Sequence, residues 1–159
     1  MWISIQKRGF GYVLVQAILI GLILFGPRGF LLLPLSLDLW LAYLQVLGMC
    51  ICIFGLLLSL VAALNLGKNL TPLPCPKDDA QLVQAGLYRV VRHPIYSGVL
   101  MLALGWLLIY PYALVLIYVM ALVTFFEFKT RREEVWLQER FPAYFDYRHR
   151  VKKFIPWIY

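Results

Sequence analysis

One run of residues limits what this chain can fold into. From Leu39 to Leu66 it goes 28 residues without a charged side chain. About 20 apolar residues in a helix cross the ~30 Å hydrocarbon core of a bilayer. Within that core a helix or a closed barrel alone satisfies its backbone polar groups. The run therefore predicts a membrane helix with length to spare for tilt. Three other apolar segments accompany it. Phe10 to Gly26 ends at Gly26-Pro27-Arg28-Gly29, where glycine and proline stop a helix. Ile95 to Ile109 is short, its 15 residues reaching roughly 22 Å at about 1.5 Å each. Pro111 to Phe128 follows it. Those last two predict a tight helical hairpin turning at Tyr110-Pro111-Tyr112, with Pro111 in the first turn of the returning helix. Phe30 to Leu37 is apolar but broken by Pro34 and reads as an interfacial stretch.

Composition agrees. With 62% hydrophobic and 14% charged residues, the chain lies far from soluble averages. The expectation is a single all-α integral membrane domain over 1–159. It has about four transmembrane helices, two of them before residue 67, then a loop at 67–94, a helical hairpin at 95–128 and a helical tail at 129–159. The net charge of +7 does not point to nucleic acid, because the basic residues hug the ends of apolar segments and no soluble basic module carries them. Lys7 and Arg8 precede an apolar stretch as in a signal peptide, but no small-residue cleavage pattern follows, so the stretch reads as a first membrane helix. With four spans, 14 of the 15 basic residues share one side with the N-terminus, the 67–94 loop and the tail, leaving Arg28 opposite. The positive-inside rule makes that side cytoplasmic. Cys50 and Cys52 read as core thiols and Cys75 as a loop thiol; their spacing makes neither a disulfide framework nor a metal site.

Chemistry-bearing residues gather on the polar side. In the 67–94 loop Pro72, Pro74 and Pro76 impose an extended path, and Gly86 suits a turn before Tyr88. Then comes Arg92-His93-Pro94-Ile95-Tyr96-Ser97-Gly98, fused to an apolar run. Pro94 biases His93 away from helical geometry, so a helix is expected to start at Pro94 with His93 just outside. The amides of Ile95, Tyr96 and Ser97 would then lack helical acceptors, and such an end binds carboxylate or phosphate. Gly98 would remove a side chain where a ligand would otherwise clash. The plainer reading is that Arg92 and His93 anchor a helix end among headgroups. Past the fourth segment no helix breaker stands before Pro142. Glu127, Arg131 and Glu134 would then share one face at i, i+4, i+7. That face could attract a sulfonium or an ammonium, or Glu127 could simply pair with Arg131.

Taken together, Leu66-Gly67-Lys68-Asn69-Leu70-Thr71-Pro72, Leu82-Val83, Gly86, Tyr88, Val91-Arg92-His93-Pro94-x-Tyr96-x-Gly98, Glu133-Glu134-x-x-Leu137, Tyr144, Tyr147, Val151 and Ile155-Pro156 resemble the isoprenylcysteine carboxyl methyltransferase family. Its wider relatives include membrane phospholipid N-methyltransferases. The resemblance covers about the last 95 residues and departs from the pattern at Pro142, where glycine is common. It implies S-adenosylmethionine bound at the cytoplasmic face, with S-adenosylhomocysteine as product, and a lipophilic acceptor arriving from the bilayer. The 67–94 loop and the C-terminal helix would form the cofactor site. Carried over by position, Arg92, His93, Pro94, Tyr96 and Gly98, with Glu133 and Glu134, would hold the cofactor. Methyl transfer from a sulfonium is an in-line displacement that calls for no metal, only alignment and exclusion of water. A carboxylate acceptor needs a cation to place it, which Arg131 or Arg132 would supply; an amine acceptor needs a base, Glu134 or His93. The residues offer both sets. Two rivals stand beside this reading: a non-enzymatic membrane scaffold, and a membrane reductase, for which no glycine-rich nucleotide fingerprint is present.

Overall fold

The computed structural model describes residues 9–29, 38–73, 75 and 79–159. Lys7, Arg8, the expected interfacial stretch Phe30–Leu37, Pro74 and Pro76 lie outside the described residues. The described chain is helical: α1 (Phe10–Phe25), α2 (Asp38–Leu66), α3 (Pro94–Ile109), α4 (Ala113–Arg140) and a short α5 (Tyr144–Arg150), with 3₁₀ turns at Gly67–Asn69 and Gly86–Arg89. Among the described residues, α2 and α4 contain stretches long and apolar enough to cross a membrane. Buried residues make up 17% of the most apolar window of the first and 33% of the second. A core helix of a soluble protein would hide most of such a window, so these faces call for lipid. The 16-residue α1 and α3 reach about 24 Å each.

The tightest helix contact differs from the expected one. α3 packs most closely on α2, antiparallel, with Gly55 opposite Gly98 and Gly48 opposite Gly105. A Cβ on Gly55 would lie 2.6 Å from the Gly98 carbonyl oxygen, and one on Gly48 would lie 2.6 Å from that of Gly105. Such small residues let two backbones touch, which is how helices associate where no hydrophobic effect drives them together. Cys52 Sγ donates to the Leu102 carbonyl (3.5 Å) and Ser59 Oγ to that of Ile95 (3.3 Å), stitching the seam. Cys50, expected in the core, faces outward.

α4 meets α3 and α1 through larger side chains: Val115, Val119, Leu122 and Phe126 pack with Ala103, Leu107 and Ile23. Pro111 stands just before the N-cap Tyr112 rather than inside α4, and the turn at 110–112 is as short as the sequence implies. The helix continues unbroken to Arg140, where Phe141 N–H closes the last turn on Leu137 O (2.8 Å) and Pro142 prevents continuation.

Two ties fold the polar segments over the helix ends. Gly86 has φ 59°, and a side chain there would collide with the Asn65 amide, whose Oδ1 accepts the Leu87 N–H at 2.8 Å. At the other tie, the tail runs beside the chain leading into α3. Arg92 N–H donates to Lys152 O (2.8 Å), His93 N–H to Lys153 O (3.1 Å), and Ser97 Oγ to Phe154 O (2.8 Å).

Candidate functional site

Because Pro94 opens α3, His93 sits outside the helix at φ −126°, ψ 59°, and its ring turns toward α4. There His93 Nε2 donates to Glu134 Oε1 at 3.1 Å, while Nδ1 lies 3.6 Å from Glu133 Oε2. Arg92 Nε donates to the same Glu134 oxygen at 2.9 Å, and its Nη1 reaches the carbonyls of Arg148 (2.9 Å) and Val151 (2.5 Å). Arg148 Nε approaches Glu134 Oε2 at 3.4 Å. Tyr96 Oη donates to Glu133 Oε1 at 2.5 Å. The polar heptad and the acidic pair, 35 residues apart in sequence, are therefore one hydrogen-bonded cluster.

The two carboxylates are in different situations. Glu134 is 3% exposed and held by two guanidinium groups and His93; its charge is matched on every side, as a buried carboxylate requires. Glu133 accepts from the neutral Tyr96 hydroxyl and lines a cavity of about 390 Å³, within the roughly 300–1,000 Å³ usual for small-molecule sites. Its second oxygen lies 3.6 Å from His93 Nδ1, burial pushes its carboxyl above the ordinary carboxylate range, and it is the acidic group that faces the cavity. Arg92, His93, Ile95, Tyr96, Lys129 and Tyr144 line the same space. Apolar groups complete it: Leu66, Leu70, Leu73, Leu82 and Val83 from the loop side, and Leu137 of α4 with Phe141 just past its end. The loop is thus part of the site's wall, pinned where Asn69 Oδ1 accepts the Gln81 N–H at 2.9 Å.

Lys129 is 1% exposed. It donates to Gln16 of α1 at 2.5 Å and stands 5.0 Å from the Tyr96 ring centroid, a cation–π distance. Burial pushes the phenols of Tyr88, Tyr144 and Tyr147 above their ordinary value, reinforced at Tyr144 by the Glu134 charge. They stay protonated donors. Tyr147 spends its proton on Tyr88 O. The Tyr144 hydroxyl is buried without a hydrogen-bond partner among the described residues. Such a group is costly unless something supplies an acceptor. A cavity with a carboxylate, a buried amine and an unspent hydroxyl in its wall suits a ligand carrying both positive and hydrogen-bonding groups.

The residues expected from the sequence divide as follows. Arg92, His93, Tyr96 and Glu133 line the cavity together. Glu134 and the buried Pro94 stand behind it: the first fixes Arg92 and His93, the second shapes the His93 backbone. Gly98 faces the other way. The space it leaves is filled by α2, where a side chain would meet Ser59 Oγ and the Gly55 carbonyl, so it opens no room for a ligand. Of the amides expected to be free, Ser97 N–H is bonded to His93 O at 3.0 Å. Arg131 is paired with Glu127 at 2.7 Å with its side chain 67% exposed, outside this cavity; Arg132 stacks toward Trp136 at 5.1 Å. A second cation lining the cavity beside Arg92, Lys129, went unread in the sequence, as did Gln16. A signal existed: Lys129, Glu133, Leu137 and Phe141 recur every four residues, the period of one helix face.

Comparison with known proteins finds methyltransferases. The family model described as phospholipid methyltransferase matches residues 43–143. A protein-S-isoprenylcysteine O-methyltransferase of Saccharomyces cerevisiae is 35% identical over 71% of this chain and 49% of its own length. The protein of the same name from Tribolium castaneum is 36% identical over 73% of this chain and 43% of its own. That from Rattus norvegicus is 33% identical over 73% and 42%. The chain spans just under half the length of these curated relatives.

Proposed function

The chain belongs to the phospholipid methyltransferase family, and from that premise we propose that it is a membrane enzyme transferring a methyl group from S-adenosylmethionine to a carboxylate of a lipophilic, isoprenylcysteine-like acceptor. The observation that carries the reading is the closure of Arg92, His93 and Tyr96 onto Glu133, in the wall of one cavity, and onto Glu134 behind it. Carboxyl methylation is preferred to amine methylation because relatives covering most of the chain are named as O-methyltransferases of isoprenylcysteine.

S-adenosylmethionine supplies a methyl group on a sulfonium, open to in-line attack by a carboxylate oxygen. Glu133 and the Tyr96 hydroxyl that orients it face the positive part of the ligand, Tyr144 donates its unspent hydrogen bond, and His93 holds the segment in place from its bond to Glu134. The acceptor carboxylate is ionised at neutral pH, so no base is required; a cation must place it. Lys129 takes that role in place of Arg131, since it lines the cavity and Arg131 does not, while Arg92, the other lining cation, is paired with Glu134. The apolar loop residues Leu70, Leu73, Leu82 and Val83 shelter the reacting atoms from water and offer surface to a lipid chain.

In the bilayer, α1 and α3 would cross beside α2 and α4, completing four spans. The loop, the tail and the site would lie on the cytoplasmic side, leaving Arg28 opposite, over the Tyr110 ring at 3.7 Å. The test is a titration of S-adenosylhomocysteine into detergent-purified protein, beside methyl ester formation on an S-prenylated N-acetylcysteine. Micromolar binding is expected, weakened about tenfold or more by Glu133→Gln or His93→Ala, as for a charge-assisted hydrogen bond worth about 1.5–3 kcal/mol. Lys129→Ala should retain the nucleoside while losing ester formation. Absence of binding by folded wild-type protein would overturn the assignment, and binding without ester formation on any prenylated cysteine would overturn the acceptor.

A further inference from the structure

A second cavity, of about 440 Å³, lies between the end of α4 and the C-terminal tail. Arg92, Arg131, Arg148, Lys152 and Lys153 line it, with Glu127 as its one carboxylate side chain. Glu127 is already spoken for: Lys153 Nζ bonds its two oxygens at 2.9 and 3.0 Å, and Arg131 Nε bonds one at 2.7 Å. Glu134, behind the wall, takes Arg92 and Arg148. Five cations against two carboxylates leave an excess of positive charge. The groups that carry it outward are reachable: Lys152 is exposed, and the Arg131 and Arg148 side chains are 67% and 47% exposed.

Where this cavity sits decides which anion suits it. Glu127 lies between Phe126 and Phe128 in the last apolar turn of α4, so the cavity opens where a crossing helix leaves the hydrocarbon. Beside it the tail projects apolar side chains: Trp157 is 89% exposed, with φ 63°, and Ile158, which lines the cavity rim, is 74% exposed. Exposed tryptophan beside lysine and arginine is the composition of a membrane interface. A free anion would use the cations and have no use for the apolar rim. We propose that this cavity binds the phosphate headgroup of an anionic phospholipid, its oxygens accepting from Arg131, Arg148 and Lys152 while the acyl region lies along Trp157 and Ile158.

The experiment is native mass spectrometry of the purified full chain with phosphatidylglycerol and phosphatidylcholine in competition, with Lys152→Gln, Arg131→Gln and Arg150→Gln alongside. Preference for phosphatidylglycerol is expected, reduced about fivefold by either substitution lining the cavity, the scale of one basic residue at an anionic surface. Lys152 is exposed, so its variant reports on folded protein. Arg150 donates to Asp146 O outside the cavity, and Arg150→Gln should keep the preference. Equal binding of the two lipids, or equal loss in Arg150→Gln, would overturn the site. Inorganic phosphate displacing the lipid as readily as short-chain phosphatidylglycerol does would overturn its assignment to a lipid.

Discussion

Adjacent residues on a helix point about 100° apart, so Glu133 and Glu134 cannot do the same work. Glu134 is the buried partner of Arg92 and His93; Glu133 is the one that faces the cavity. Replacing Glu134 with glutamine leaves Arg92, whose side chain is 9% exposed, without its counter-charge. Breaking a buried pair in that way costs about 3–5 kcal/mol, and the thermal midpoint in detergent should fall accordingly, with nucleoside affinity falling as His93 loses its anchor. Glu133→Gln should leave the midpoint near wild type and weaken nucleoside binding alone. Equal destabilisation by the two would mean that Glu133 is structural as well. The same angular argument explains what the sequence withheld. Residues 127, 131 and 134 and residues 129, 133 and 137 are both acceptable helical stripes, each member of the second at least about 200° further round the helix than its counterpart in the first. Spacing names the stripes, and only packing against α1 and α3 decides which one faces the site. The position of His93 was legible because proline acts on its neighbour locally.

Among the elements, the seam between α2 and α3 fixes where the head of α3, and hence His93 and Tyr96, stands. Gly98→Leu should disrupt this seam: overpacking costs roughly 1–3 kcal/mol even where side chains can shift, and here the obstacle includes the backbone of α2. Gly55→Leu, remote from the motif, should lower the thermal midpoint to a similar degree. If Gly98→Leu kept a wild-type midpoint while losing nucleoside binding, the glycine would belong to the cofactor site after all. The period was present in the sequence, glycines at 48 and 55 and at 98 and 105, each pair one heptad apart. It stayed unread because glycine in an apolar run carries no chemistry of its own, and its partner helix is set by tertiary packing. The membrane-length helices were legible because hydrocarbon thickness imposes a length that composition reveals directly.

At the scale of the whole molecule, the site exists only where three separated stretches close on one another: the loop and heptad, the charged end of α4, and the tail. The first two meet through charge, and charge left a trace in the sequence. The tail meets α4 through the Lys153 pair with Glu127, but it meets the heptad through backbone, with one parallel bridge between Val91 and Lys152 and hydrogen bonds from Arg92 and His93 N–H to Lys152 and Lys153 carbonyls, and backbone pairing of that length leaves no pattern in side chains. Its consequence is testable by removing residues 151–159. That segment caps α5 through Val151 N–H and packs Phe154 on the core, but α1 to α4 close their own backbone bonds, so helical circular dichroism should be retained. The truncation removes the Lys153 pair with Glu127, the Arg92 Nη1 bond to Val151 O, two backbone hydrogen bonds and the Ser97 to Phe154 bond. The neutral ones are each worth about 0.5–1.5 kcal/mol, and those from Arg92, His93 and Ser97 act on the residues that orient His93. Nucleoside affinity should therefore fall at least about tenfold, since loss of one to two such bonds reaches about 1.4 kcal/mol. Unchanged affinity in the truncated protein would mean that Pro94 and Glu134 position His93 unaided and that the tail serves the membrane surface alone.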